Sequence, residues 1–405
     1  MNILLGYGIT NQEIAKRFAP CFIFDDSFKE QSKDTLGNLL YPASSLSEIL
    51  KEQKDAKIIT SPGIPPHNPM IKQSNPISEY DFFASCMPYS IFISGTNGKT
   101  TTTQILGHLL EKFGAVCGGN IGTPLAALPQ NAKIWILETS SFTLHYTKIA
   151  KPNLYLLLPI SEDHISWHGS FEAYKEAKLK PLLSMQDKEV AVLPASLKDH
   201  PFCTKSLATL IFYEDSKDLA NTFKIDLEKI KFKEPFLLDS LLALSATKIL
   251  FNTLDYTLLN SFEIGKHRLE EFKDNDNRLY VDDSKGTNVD ATLEALKRYQ
   301  DFKILLILGG DDKGANLEPL FNLAKNLKIK IFAIGKNTDK IASLASQFQI
   351  QCLSCYTLEK AMPLLKQEHN LQSVALLSPA AASLDQFSSY KQRGELFVKL
   401  ALASC

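Results

Sequence analysis

The stretch Ser94-Gly95-Thr96-Asn97-Gly98-Lys99-Thr100-Thr101 constrains this chain more than any other. It follows a short apolar run, Ile91-Phe92-Ile93, and precedes Ile105, Leu106, Leu109, Leu110 and Phe113, which recur at helical spacing. A strand, a glycine turn and a helix in that order form a phosphate-binding loop. The unpaired N–H groups and positive dipole end of the helix attract an anion, and glycines let it approach the backbone closely. Lys99 then reaches terminal phosphates, and the Thr100 hydroxyl is suited to a magnesium ion carried with ATP. The general pattern has a further Gly five residues before Gly98, where this chain has Ile93. Gly95 supplies the flexibility instead.

The segments on either side repeat this α/β layout. Ile3 to Leu5 read as a first strand running into Gly6-Tyr7-Gly8, a helix to about Phe18 and a second strand ending at Asp25. This is half of a nucleotide-binding unit without the third glycine of its fingerprint. Ile58-Ile59-Thr60 ends another strand in the rigid turn Ser61-Pro62-Gly63. After the phosphate loop, Ile134 to Leu137 deliver Glu138, and the run from Leu154 to Pro159 delivers Ser161-Glu162-Asp163-His164. Ligands of open parallel sheets bind at the carboxyl ends of strands, so Glu138 and His164 are expected at the rim of the phosphate loop.

Beyond about Ile264, the strands Leu279 to Asp283, Ile304 to Leu308, Ile331 to Ile334 and Val374 to Leu377 come in sequence. Three of them run into polar turns: Ser284-Lys285-Gly286-Thr287-Asn288, Gly309-Gly310-Asp311-Asp312-Lys313 and Ser378 to Ser383. Their lysines and hydroxyls make an anion-binding edge. The alternative for a hydroxyl such as Ser284 or Ser383 is that it only caps a helix. The expected fold class is therefore α/β with three domains: a Rossmann-like domain over 1–87, a central P-loop ATPase-type domain with a mostly parallel sheet over 88–263, and a C-terminal Rossmann-like domain over 264–405.

Composition narrows the partners. Lys plus Arg number 44 against 45 Asp plus Glu, which leaves no basic field for nucleic acid or an anionic membrane. Apolar runs such as Leu154 to Ile160 fall far short of the ~20 residues of a spanning helix. The N-terminus lacks a basic leader and reads as a strand, not a signal peptide. Seven scattered cysteines point to reduced thiols and a cytoplasmic location. Cys352 and Cys355 form a CxxC with no second pair, and they receive no metal or redox role.

Taken together, the motifs resemble those of the Mur ligases over nearly the whole chain. They are Gly95 to Thr101, Gly119-Asn120-Ile121-Gly122, Glu138-Thr139-Ser140-Ser141-Phe142, Glu162-Asp163-His164, Tyr174 to Lys178, His267-Arg268-Leu269-Glu270, Asp283 to Asn288 and Gly309 to Lys313. The run Leu377 to Phe387 is similar to the signature of the D-glutamate-adding members. The resemblance implies that ATP phosphorylates the carboxylate of UDP-N-acetylmuramoyl-L-alanine and that the amine of D-glutamate displaces the phosphate.

In residue terms, the resemblance implies that Gly95, Thr96, Asn97, Gly98, Lys99, Thr100, Thr101, Asp239, Arg268 and Asp283 bind ATP. It implies Mg²⁺ held by Thr100, Glu138, His164 and Lys178, with Lys178 carbamylated so that a cation becomes a carboxylate. Without the family match, Lys178 reads as an ordinary helix-surface charge. Lys99, His164 and Lys178 form the implied catalytic set. Thr10, Ser61 and Asn120 fall on the UDP-substrate side, and Lys285, Thr287, Lys313, Ser383 and Tyr390 on the D-glutamate side. A monomer is expected.

Two departures stand out. The family's adenine-side residues are replaced in Glu234-Pro235-Phe236-Leu237-Leu238-Asp239, where Asp239 accepts a hydrogen bond but cannot donate one. No arginine follows Asp25-Asp26-Ser27 to face uracil. Two other readings remain open at this level: a ligase of the same scaffold with another substrate, such as a folylpolyglutamate synthase, and a non-catalytic ATP-binding regulator.

Overall fold

The computed structural model describes residues 1–403 and contains three sheets. The chain divides into two compact units, Met1–Phe262 and the residues from Glu263 onward.

The first unit holds two sheets. One is built from β1 (Asn2–Leu5), β2 (Cys21–Asp25), β3 (Ser32–Lys33), β4 (Leu39–Pro42) and β5 (Ile58–Thr60), in the order β3-β4-β2-β1-β5. All pairings are parallel except β3 with β4. The other contains β6 (Tyr89–Ser94), β7 (Ala115–Gly119), β8 (Ile134–Glu138), β9 (Leu154–Leu157), β10 (Val190–Pro194) and β11 (Thr209–Tyr213), all parallel, in the order β11-β10-β9-β6-β8-β7. The strands β6, β8 and β9 are covered on both faces, which is why they read as near-continuous apolar runs without alternation.

One apolar core joins these two sheets, running from Leu4, Ile14 and Ile23 to Phe92, Trp135 and Tyr155. Polar ties reinforce it. Asp81, buried at 6% exposure, accepts from the backbone N–H of Lys148, Ile149 and Ala150 at 2.7–2.9 Å. Ser78 and Thr147 share a 2.8 Å hydrogen bond, and the Tyr146 hydroxyl donates to the Ile64 carbonyl.

The second unit holds β12 (Glu270–Lys273), β13 (Leu279–Asp282), β14 (Lys303–Leu308), β15 (Ile329–Ile334), β16 (Gln351–Tyr356) and β17 (Ser373–Leu377), in the order β12-β13-β17-β14-β15-β16. Only β12 with β13 is antiparallel. Because β17 lies between β13 and β14, the three polar turns that end these strands become neighbours. Among the described residues, no helix is long and apolar enough to cross a membrane. The six described cysteines are all free thiols.

Candidate active site

Strand β6 lies between β8 and β9, so chain order reverses across it, and such a switch point opens a crevice at the carboxyl ends. The Gly95–Gly98 turn occupies that position, and the helix Lys99–Leu110 starts from it. Two backbone conformations require glycine here. Gly95 has φ +133° and a Cβ would stand 2.5 Å from Leu158 Cβ; Gly98 has φ +82° and a Cβ would stand 2.2 Å from Asp239 Oδ1. Asp239 is therefore packed behind the loop. It is buried and accepts from the Thr102 hydroxyl at 3.1 Å, supporting the first turn of the helix.

Four side chains gather around the loop. Lys99 Nζ donates to the carbonyls of Gly95 and Thr96 at 3.0 and 2.7 Å, and Lys178 Nζ donates to the same Gly95 carbonyl at 2.7 Å. Thr96 Oγ1 lies 3.0 Å from the Tyr174 hydroxyl and accepts from the Ser161 N–H at 2.9 Å. The Tyr174 ring is packed beneath Lys178, whose ammonium nitrogen is 4.6 Å from its centroid.

Lys178 is 1% exposed, so the helix-surface reading of a bare sequence is overturned. The helix Phe171–Leu179 turns this position inward against the crevice. Burial, and next the charge of Lys99, hold the Lys178 amine well below its ordinary range, with Asp163 and Glu138 opposing the shift. Burial also lowers Lys99.

Glu138 ends β8 and is buried at 3% exposure. Its Oε1 accepts from Asn120 Nδ2 at 2.8 Å, while its Oε2 is buried with no hydrogen-bond partner. A buried carboxylate oxygen without a donor is costly, and a cation removes that cost. His164 has φ +54°, lies 3.6 Å from the Asp163 carboxylate and packs its ring against Phe142 at 4.7 Å. His168, which the sequence did not single out, sits in the same ring cluster and contacts Ser141 Oγ at 3.0 Å.

A cavity of about 50 Å³ lies beside this region, lined by Thr10, Thr60, Glu79, Asn120 and Tyr146 among others. Thr10 and Asn120, distant in sequence, thus share one recess, and Ser61 directly follows lining residue Thr60. Glu79 is a residue that sequence reasoning missed. It is 5% exposed, accepts from the Ala126 N–H at 3.2 Å, and is pushed up to about 8 by burial.

In the C-terminal unit the Asp311 and Ala382 backbones exchange two 3.0 Å hydrogen bonds, which brings the turns carrying Lys313 and Ser383 together. Lys285 Nζ lies 4.3 Å from the Tyr390 ring centroid. Lys285, Thr287 and Lys313 are exposed, whereas Ser383 is buried. Ser284 caps no helix: the following helix is capped by Asn288, and Ser284 Oγ instead donates to the Tyr390 carbonyl and accepts from Arg393 Nε. Asp283 is pushed up to about 7 by burial and accepts from Ser378 Oγ at 2.7 Å. Among the described residues, His267, Glu270 and Asp282 bring three potential ligand atoms within 4.8 Å of one another.

A glycine loop at a switch point, two lysines on its carbonyls and a half-satisfied carboxylate define a P-loop protein of the α/β class. Residues 93–234 match the family model of the Mur ligase middle domain. The chain belongs to the Mur ligase family. It is 53% identical over 399 residues to the UDP-N-acetylmuramoylalanine--D-glutamate ligase of Campylobacter jejuni subsp. jejuni serotype O:23/36 (strain 81-176), covering 97% of each chain. It is 46% identical over 421 residues to the enzyme of that name from Helicobacter pylori (strain ATCC 700392 / 26695), covering 98% of this chain and 99% of the relative. In fold it is similar to the MurF ligase of Thermotoga maritima in complex with ADP, with a TM-score of 0.58 at 16% identity, covering 94% of this chain and 96% of that one.

Proposed function

We propose that this chain is an ATP-dependent ligase that joins D-glutamate to UDP-N-acetylmuramoyl-L-alanine in peptidoglycan precursor synthesis, releasing ADP and phosphate. Full-length identity to relatives that carry this activity in their name supports the substrates. The observation that carries the chemistry is the meeting of Lys99 and Lys178 at the Gly95 carbonyl.

In this reading the substrate carboxylate attacks the ATP γ-phosphate to form an acyl phosphate, and the D-glutamate amine then displaces phosphate. Such transfers are governed by charge neutralisation and positioning. Gly95 to Thr101 cradle the phosphates, with Lys99 countering their charge. Arg268 and Asp283 add ATP contacts from the C-terminal unit. Asp239 is the further ATP-binding residue of this reading, and it also supports the loop through Thr102.

The unpartnered Glu138 Oε2 fits a hard cation, and Thr100, Glu138, His164 and carbamylated Lys178 are the residues to hold Mg²⁺. The ion supplies neutralisation of phosphate charge. Lys178 fits carbamylation because burial favours its neutral, nucleophilic amine. Thr10, Ser61 and Asn120 face the UDP-linked substrate. Lys285, Thr287, Lys313, Ser383 and Tyr390 grip the carboxylates of D-glutamate. The corresponding domains are 1–87, 88–263 and 264–405, and the protein works as a cytoplasmic monomer without nucleic acid or membrane.

The test is phosphate release from ATP with UDP-N-acetylmuramoyl-L-alanine across a set of amino acids. Release that depends on D-glutamate is expected. Release with L-alanine, L-lysine or diaminopimelate instead, or only with a folate substrate, would assign a different ligase. No release with any of them would leave a nucleotide-binding regulator.

A further inference from the structure

In the motif His267-Arg268-Leu269 the arginine is the proposed ATP contact, and its neighbours shape the turn that carries it. On both sides of Arg268 the backbone is left-handed, with φ +64° at His267 and +47° at Leu269. Neither is glycine or asparagine, and Leu269 is a bulky residue at 7% exposure. Such a pair persists only where the surroundings over-determine it.

The surroundings do so here. His267 Nδ1 lies 2.6 Å from Asp282 Oδ2, and the His267 N–H donates to Glu270 Oε2 at 2.9 Å. The Leu269 N–H donates to Asp283 Oδ1 at 3.3 Å, and the His267 carbonyl accepts from the Lys285 N–H at 3.0 Å. The imidazole meets the Tyr390 ring edge-on at 6.3 Å. Gly394 closes the remaining side, where a Cβ would stand 2.3 Å from His267 Nδ1. His267 Nδ1, Asp282 Oδ2 and Glu270 Oε2 are thus all engaged in hydrogen bonds that draw these three residues together.

We infer that the His267–Asp282 pair is a positioning device that locks this left-handed turn and presents Arg268 to the nucleotide in one orientation. The inference rests on the reading of Arg268 as an ATP contact. Its physical basis is pre-organisation: a long arginine side chain on a mobile turn loses more freedom on binding than one on a fixed turn. The turn also sets Lys285 through the His267 carbonyl, so one buried pair steadies both the nucleotide side and the start of the amino-acid side.

The experiment is calorimetric titration of the full chain with Mg-ATP for the wild type, His267→Ala, His267→Asn, Arg268→Ala and the double variant His267→Ala/Arg268→Ala. His267→Ala is expected to weaken binding about tenfold, with no further loss in the Arg268→Ala background. His267→Asn should keep most of the affinity, because its amide nitrogen takes the place of Nδ1 and asparagine tolerates the left-handed region. Equal losses in both backgrounds, or unchanged affinity in His267→Ala, would overturn the inference. Should His267→Ala fail to fold, His267→Phe, which keeps ring volume without the hydrogen bond, is put through the same two backgrounds. A wild type that binds nucleotide but releases no D-glutamate-dependent phosphate overturns only the proposed function. A wild type that binds no nucleotide overturns both.

Discussion

Lys99 and Lys178 donate to one acceptor, the carbonyl oxygen of Gly95, at 3.0 and 2.7 Å. Two ammonium groups held this close repel each other; burial lowers the pKa of both, and for Lys178 this repulsion adds to it. Lys178 is the more buried of the two and is lowered further. In the proposed carbamylation the deprotonated amine would add to carbon dioxide and release a proton, which would place an anion beside the Lys99 cation.

Lys178→Ala should therefore lower D-glutamate-dependent phosphate release by about 100-fold or more, the scale expected when a group that holds charge at a transferring phosphate is lost. Added short carboxylates should restore part of the rate. Carbon-13 NMR of wild type under labelled carbon dioxide should show a carbamate signal that the variant lacks. Unchanged turnover in Lys178→Ala would refute the assignment.

Glu138→Gln replaces the unpartnered carboxylate oxygen with a neutral amide while keeping a group that can meet Asn120. The Mg²⁺ concentration for half-maximal phosphate release should rise by about 10-fold or more. A Mg²⁺ titration that superimposes on that of the wild type would argue against Glu138 as a ligand.

Gly98→Ala puts a methyl group 2.2 Å from Asp239 Oδ1 at a backbone φ of +82°. The strain should cost about 1–3 kcal/mol and weaken ATP binding, read from denaturant unfolding and calorimetry. An unchanged unfolding midpoint would mean that the loop and Asp239 move apart without cost.

Glu79 has a pKa raised from 4.5 to about 8 by burial. Between those values the folded chain keeps a proton that the unfolded chain has lost, so its contribution to stability falls as pH rises through that window and levels off above pH 8. Glu79→Gln removes the dependence. Its stability relative to wild type should grow from pH 5 to pH 8 by an amount on the order of a few kcal/mol, measured by urea unfolding at both pH values. A difference that stays constant with pH would show that Glu79 titrates normally.

The strands β1, β2, β5, β6, β8, β9, β13, β14, β15 and β17 and the glycine loop were legible because those strands are short apolar runs ended by polar or glycine residues, and the helix after Gly98 keeps its period; edge strands such as β3 (Ser32–Lys33) and β12 (Glu270–Lys273) carry no such run and were not marked out. Strand ends moved slightly: β9 stops at Leu157 and β13 at Asp282. Asp239 shows what was not legible: its packing against Gly98 and its hydrogen bond from the Thr102 hydroxyl, made across 137 residues of chain, have no local signal in the sequence. Glu79, Tyr174 and His267 lacked a local signal for their contacts, since their partners lie 15 to 78 residues away.

The sequence by itself determined the kind of chain this is: local periodicity sets each strand and helix, and glycine spacing sets a loop able to approach a phosphate. Tertiary structure decided the burial and pairing of the groups around that loop. Whether Lys178 is a surface charge or a buried amine, whether Glu138 keeps an oxygen unpaired, and whether His267 turns inward all depend on desolvation and on long-range partners. Those quantities arise only when segments distant in sequence pack together.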